Sequence, residues 1–194
     1  CTVVDIGCST GKLLKHMKTQ NDCFADKVGY RGIEIEEDFF PDLVEEENLK
    51  FYKQDVRSFN WITGAPNNCF TTSIFSLQFM PKRNRQIIIQ RVYESLVKGG
   101  AFICAEKIYS EHAQLQEMMQ FCYYDYKRQF YSAEELLDKE QNLRHMMKPL
   151  TMDELIEMVR EAGFEIVQPF WQNFNFVALI CIKEAEGKFS LEEK

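Results

Sequence analysis

The sequence predicts an α/β protein whose sheet is mostly parallel and covered by helices on both faces. Three observations carry that expectation. An apolar run at residues 2–6 passes directly into a glycine-containing turn, Val3-Val4-Asp5-Ile6-Gly7-Cys8-Ser9-Thr10-Gly11, and then into a helical pattern. Strand-like runs and amphipathic stretches alternate as far as residue 106, which favours parallel strands joined by crossover helices. Beyond that the alternation stops, and the last two apolar runs are separated only by a short link centred on Asn173, as in a hairpin.

Each element has a local reason. Residues 2–6 read as the first strand. A helix follows from about Gly11, with Leu13, Leu14 and Met17 on one face. Residues 29–35 form the second strand, followed by a short acidic helical region with Pro41 near its start. Residues 49–53 and 71–77 are the third and fourth strands. Over residues 84–97, Ile88, Val92 and Leu96 recur at helical spacing, with Ile89 and Tyr93 beside them. Gly99-Gly100 reads as the stop of that helix, and residues 101–106 as the fifth strand. Residues 112–147 read as two helices, the second opened by Ser132 with Glu135 three residues on, a capping-box pattern. Thr151 and Glu154 repeat the pattern for a helix with Met152, Leu155, Ile156 and Val159 on one face, ended by Gly163. Strands at 164–171 and 174–183 close the chain, the last antiparallel to the rest. Five β/α units and a terminal hairpin are the outline of the Rossmann-like, seven-stranded class I fold of S-adenosylmethionine (SAM)-dependent methyltransferases, with a helical insertion after strand five. The expected organisation is one domain over residues 1–183 and a charged tail over 184–194, with a further N-terminal segment expected ahead of a chain that starts inside its first strand.

Composition narrows the function. Of 194 residues 45% are hydrophobic, enough for one core burying about 70% of the unfolded surface. No apolar run reaches membrane-spanning length, so no membrane association is expected. The seven cysteines, an odd number without a C-x-x-C pair, read as buried free thiols of a reducing, cytoplasmic protein. The three histidines are scattered, so no metal site is expected. Net charge is −7, and the densest charge run, residues 34–47, is acidic. That favours a small-molecule substrate over direct nucleic-acid binding, without excluding RNA. Lys82, Arg83, Arg85, Arg91, Lys127 and Arg128 read as solvated helix surface.

In such sheets a ligand lies across the carboxyl ends of the strands, where strand order reverses. Four strand ends are therefore candidates. In Asp5-x-Gly7-x-Ser9-x-Gly11, Gly7 admits close backbone approach and Gly11 close helix packing, while Asp5 holds the loop or meets the ligand's ammonium. Glu34 ends the second strand 23 residues after Gly11, the place of a carboxylate that accepts both ribose hydroxyl protons. Asp55 and the adjoining Val56 N–H suit the amino group and ring nitrogen of adenine. Phe75 and Ser76 end the fourth strand beside the reacting centre.

Each residue also has an ordinary structural explanation: a turn cap for Asp5, one more acidic surface group for Glu34, a turn start for Asp55, core packing for Ser76. Their order on successive strand ends argues for cofactor binding. Gly7-x-x-x-Gly11 fits SAM better than the G-x-G-x-x-G of a dinucleotide site. No (Asp/Asn)-Pro-Pro-(Tyr/Phe) follows the fourth strand and no Pro-Cys occurs, so nucleobase amino- and C5-methylation lose their usual tools. What remains is catalysis by positioning, with no catalytic residue named.

The second half adds Leu77-Gln78-Phe79-Met80-Pro81, Glu106-Lys107, Tyr124-Asp125-Tyr126-Lys127-Arg128, Tyr131-Ser132, and Gln172-Asn173-Phe174-Asn175-Phe176. With these stretches the chain resembles the carboxy-SAM synthase family, formerly described as tRNA methyltransferases, from Val3 to Lys183. The resemblance implies SAM and prephenate as ligands, carboxy-SAM as product, and a partner enzyme that uses it to complete 5-oxyacetyl-uridine at the wobble position of tRNA. It implies a cytoplasmic homodimer, and cofactor contacts at Gly7-Cys8-Ser9, Glu34-Ile35 and Asp55-Val56. Three positions depart from it. The family's aspartate is Glu34 here, and its asparagine before the Phe-x-Leu-Gln-Phe stretch falls at Ile74. The arginine that clasps the extra carboxylate falls at Glu140, which repels a carboxylate. Lys139 and Arg144 stand as its replacements, or all three are exposed helix charges. Carboxy-SAM, SAM and S-adenosylhomocysteine are thus all expected ligands. The alternatives are a plain methyltransferase for a small molecule or nucleic acid, which Glu140 favours, and a non-catalytic SAM-binding subunit.

Overall fold

The computed structural model describes residues 1–21, 27–61 and 67–184. Its strands are β1 (Thr2–Ile6), β2 (Gly29–Glu34), β3 (Leu49–Lys53), β4 (Asn68–Ile74), β5 (Leu96–Tyr109), β6 (Leu150–Thr151), β7 (Ile166–Asn173) and β8 (Phe176–Ile182). The helices are α1 (Lys12–Gln20), α2 (Lys82–Ser95), α3 (Ala113–Lys127), α4 (Ala133–Arg144) and α5 (Met152–Glu161). The sheet runs β3-β2-β1-β4-β5-β8-β7, with β6 paired to the far end of β5. β1 to β5 are mutually parallel, and β8 runs antiparallel to both β5 and β7. This is the expected α/β, Rossmann-like outline with a terminal hairpin and a helical insertion after β5. The two-residue β6 is an addition too short to leave a periodic signal.

β1 is buried at all five positions, as a strand with neighbours on both edges and helices on both faces should be. On one face α2 and α5 contribute Ile88, Ile89, Val92, Leu155 and Val159 to a core with Phe102, Leu179 and Cys181. On the other, Leu14 of α1 packs with Val3, Tyr30, Leu49 and Phe51. β1 is flanked by β2 and β4, so strand order reverses there and the ends of β1, β2 and β4 meet at one crevice. Both expected capping boxes form, Ser132 with Glu135 and Thr151 with Glu154.

Three expectations are corrected. Gly99 and Gly100 do not follow a helix. The α2 helix ends at Ser95, and β5 begins at Leu96, which pairs with Asn68 of β4, while Lys183, just past β8, captures the glycines: Gly99 N–H donates to Lys183 O (2.8 Å) and Lys183 N–H to Gly100 O (3.0 Å). Nor are all cysteines free. Cys1 and Cys69 form a disulfide, with Cα atoms 5.7 Å apart, where the parallel β1–β4 ladder shifts register and passes over Cys69, from Thr2–Asn68 to Val3–Phe70. Cys8, Cys104 and Cys181 are buried thiols, whereas Cys122 is exposed on α3, and Cys23 lies outside the described residues. The tail beyond Glu184 also lies outside them. Arg85, expected on the surface, is 2% exposed. Its guanidinium donates to Met80 O (2.8 Å), Gln78 O (3.1 Å) and Lys148 O, binding the loop after β4 to the segment before β6.

No helix among the described residues is long and apolar enough to cross a membrane.

Replacing Arg85 by Met keeps most of the apolar stem but removes the guanidinium donor from Met80 O and Lys148 O and one of the two donors of Gln78 O. Urea unfolding should show a loss of about 3–5 kcal/mol. A loss below about 1 kcal/mol would contradict the clamp.

Candidate functional site

The turn after β1 is shaped by two left-handed glycines. At Gly7 (φ 67°) a Cβ would stand 2.2 Å from Ser76 Oγ, and at Gly11 (φ 73°) 2.7 Å from the Phe51 ring. A side chain at either position would separate the turn from β4 or α1 from the sheet. Ser9 between them is also left-handed, at φ 49°. Gly7 and Cys8 N–H both donate to Ile33 O, at 2.8 and 3.1 Å, so the end of β2 holds the turn.

Glu34 completes that hold. Its side chain is almost buried, and Oε2 accepts the Ser9 N–H at 2.7 Å. Oε1 accepts the N–H groups of Ile35 and Glu36, each at 2.9 Å. Three of a carboxylate's roughly four acceptor positions are thus engaged. Ile35 itself is exposed at the rim. Beneath the turn lies Asp5, 3% exposed, whose Oδ1 accepts the Thr72 hydroxyl at 2.7 Å. Burial first, and the Glu34 charge after it, push the Asp5 carboxyl up to about 7 against the pull of Thr72. Burial likewise pushes the Cys8 thiol up to about 12, with the Asp5 and Glu34 charges adding to it, so Cys8 packs as a neutral group.

At the end of β3, Asp55 caps the short turn Val56–Ser58: Oδ1 accepts the Arg57 N–H at 2.7 Å. The Arg57 guanidinium also grips both carboxylate oxygens, holding Asp55 below the usual carboxylate range. Val56 is buried beside it. After β4, Phe75 is left-handed (φ 56°) and edge-on to Phe176 at 5.4 Å, and the Ser76 hydroxyl lies 3.5 Å from Gly7 O. The structure therefore brings Gly7, Ser9, Glu34 and Ser76 together at one crevice, with Asp5 and Cys8 under it and Asp55-Val56 at the next strand end. Gly11 anchors the start of α1.

Phe75 leads into a second, solvent-open cleft of about 200 Å³ between the sheet and the inserted helices. Gln78, Lys107, Tyr123, Lys127 and Phe176 line it. The Lys127 ammonium lies over the rings of Tyr123 (5.6 Å) and Tyr131 (5.1 Å), so it is not the free surface charge expected of it. Lys139 and Glu140 also line this cleft, whereas Arg144 does not. Behind it sits Glu106, 2% exposed, with Oε1 accepting the Leu77 N–H at 3.2 Å. Burial pushes that carboxyl up to about 8 despite nearby Arg85. Gln78 accepts from Lys107 N–H (2.8 Å) and donates to Phe75 O (3.3 Å), fixing the strand ends to each other. Sequence reading took Arg85 for a surface charge and gave Gln78 and Glu106, quoted only within stretches of the resemblance, no role of their own. The available signal was a charged pair, Glu106-Lys107, closing an otherwise apolar strand.

No family model matches the chain. A carboxy-S-adenosyl-L-methionine synthase of Staphylococcus epidermidis is 35% identical over 182 residues, 93% of this chain and 78% of that protein. The chain belongs to the carboxy-SAM synthase family. A synthase of Nitratiruptor sp. is 30% identical over 93% of this chain and 75% of its own. With family membership come the SAM-dependent transferases of the methyltransferase superfamily and SAM as cofactor class. Among solved structures, a putative methyltransferase bound to the Haloferax volcanii Trm112 activator matches with a TM-score of 0.65 at 15% identity, covering 95% of this chain and 83% of that one. Human N-acetylserotonin methyltransferase in complex with SAM matches with a TM-score of 0.61 at 15% identity, covering 95% and 48%. At such identities these two carry the fold alone.

The raised Asp5 carboxyl sets a pH dependence. Between its unfolded value near 4 and about 7, the native chain keeps a proton that the unfolded chain has released, so stability falls as pH rises through that window. Asp5→Asn removes this slope. From pH 5 to pH 8 wild type should lose on the order of 2–3 kcal/mol relative to the Asn variant. A pH-independent difference in chemical denaturation would contradict the burial of Asp5.

Proposed function

We propose that this chain makes carboxy-SAM from SAM and prephenate, for the completion of 5-oxyacetyl-uridine at the wobble position of tRNA by another enzyme. The single observation that carries the SAM reading is Glu34, a nearly buried carboxylate at the strand-order reversal, clasped to the glycine turn. Glycine at positions 7 and 11 lets the turn close on Ser76 and α1 pack on Phe51, which brings the turn's backbone to the strand-order reversal where a nucleoside would lie. Glu34 takes the ribose hydroxyls, and engaging both of them releases one of its three backbone N–H bonds. Gly7, Cys8 and Ser9 present backbone to the ligand, and Ile35 covers its rim. Asp55 and Val56 take the adenine edge, Asp5 steadies the turn, and Phe75 and Ser76 border the reacting centre. The cofactor supplies an activated sulfonium methyl. Prephenate supplies the carboxyl carbon and leaves as phenylpyruvate, its ring becoming aromatic with loss of water. Holding the two ligands in line is the protein's part, with no side chain assigned as acid or base.

Cytoplasmic location and the absence of direct tRNA contact belong to the same proposal; the net charge of −7 supports the latter. So does a homodimer, supported by Phe121, Phe130 and Phe170, which α3, the following turn and β7 leave more than half exposed. Glu140 in the second cleft favours a second reading, a plain SAM-dependent methyltransferase.

Incubation with SAM and prephenate should release phenylpyruvate in step with carboxy-SAM; S-adenosylhomocysteine formation alone would favour the second reading. Glu34→Ala should weaken SAM binding by about 100-fold or more in calorimetry, since it removes two charge-assisted hydrogen bonds. Unchanged affinity would overturn the ribose assignment.

A further inference from the structure

Lys107 is only 7% exposed, yet among the described residues its ammonium has no hydrogen-bond or ion-pair partner. A lysine with its stem buried and its head at a cleft holds a cation there without a counter-ion of its own. The side chain lines the second cleft. It stands directly across from Phe176 in the β5–β8 register, so both project from the same face of the sheet. Phe176 touches Phe75, and the next residue, Ser76, approaches Gly7. The unpaired ammonium thus lines a cleft bordered by Phe176 and Phe75, and Phe75 adjoins the residue that reaches the glycine turn.

The rest of the cleft is biased the same way. Lys127 and Lys139 line it as well, giving three ammonium groups. The opposing carboxylates are Glu135 and Glu140, and Glu135 is consumed by the helix cap, where it accepts from Ser132 N and Oγ at 2.8 and 2.9 Å. Lys127 is held over two tyrosine rings and is oriented before any ligand arrives. The site is therefore built for an anion, even though residue 140 carries the wrong sign.

We propose that Lys107, with Lys127 beside it, is the cation that holds a ligand carboxylate next to the sulfonium centre in this chain. This specificity-determining role falls where the resemblance would have an arginine at position 140, and it rests on the SAM reading above. A carboxylate on the sulfonium methyl and a carboxylate on the second substrate offer the same chemistry, and both are testable.

Calorimetric titration of SAM and of carboxy-SAM into wild type, Lys107→Met and Lys107→Gln separates the possibilities. Wild type should prefer carboxy-SAM by about 10- to 100-fold, and both variants should lose that preference while binding SAM within about 2-fold of wild type. If wild type shows no preference and the variants instead raise the KM for prephenate by a similar factor, the carboxylate held is that of the second substrate. A preference that survives in the variants, or an equal loss of both ligands, overturns the role of Lys107 while leaving the SAM site standing. Failure of wild type to bind SAM at all overturns both. Should the variants not fold, a wild-type complex with carboxy-SAM decides. A carboxylate oxygen at about 2.7–3.2 Å from Lys107 Nζ supports the assignment, and one beyond hydrogen-bond reach overturns it.

Discussion

The carboxylate of Glu34 is the point on which the site turns. It closes β2 onto the glycine turn after β1 by accepting N–H groups from Ser9, Ile35 and Glu36. Backbone donors in irregular turns have no ladder partner, and leaving them buried without one costs as much as a lost hydrogen bond. A single nearly buried acidic group satisfies three such donors and fixes the crevice at the strand-order reversal. Ser9, left-handed without being glycine, is held in place by it, since such a conformation persists only where the surroundings over-determine it. Asp5 beneath is kept in a low-dielectric place and stays protonated over part of the neutral range.

A second polar anchor secures the other half of the cleft. Arg85 gathers three carbonyls from two separate segments, and Glu106 and Gln78 tie the end of β5 to the turn after β4. These groups sit under the inserted helices, which bury no residue fully and present Tyr123, Lys127 and Tyr131 to the cleft. The division of labour follows. The crevice at β1, β2 and β4 is lined by the backbone of a glycine turn, while the α3–α4 side is aromatic and charged.

Much of this was legible in the sequence, because the relevant signals are local. The glycine turn, both capping boxes and the terminal hairpin each depend on residues within a few positions of one another, and each forms, although the hairpin turns at Phe174–Asn175 and Asn173 ends β7. Glu34 was legible by its distance from the turn. What stayed hidden depends on contacts between distant segments. Nothing near Arg85 distinguishes it from Arg83 or Arg91, and its burial follows from carbonyls at positions 78, 80 and 148. The glycine pair at 99–100 reads as a helix stop, and it is drawn into the sheet by Lys183, just past β8, beside the Leu96–Asn68 pairing with β4. Lys107 and Lys127 likewise gain their meaning from a cleft assembled by β5, β8, α3 and α4.

The central claim is that this pocket holds an adenosyl sulfonium and carboxylates it. Mass spectrometry of the small molecule released when freshly purified protein is denatured tests that claim most directly. The account predicts carboxy-SAM. Recovery of SAM or S-adenosylhomocysteine with no carboxylated form, or of no adenosyl compound at all, would contradict it.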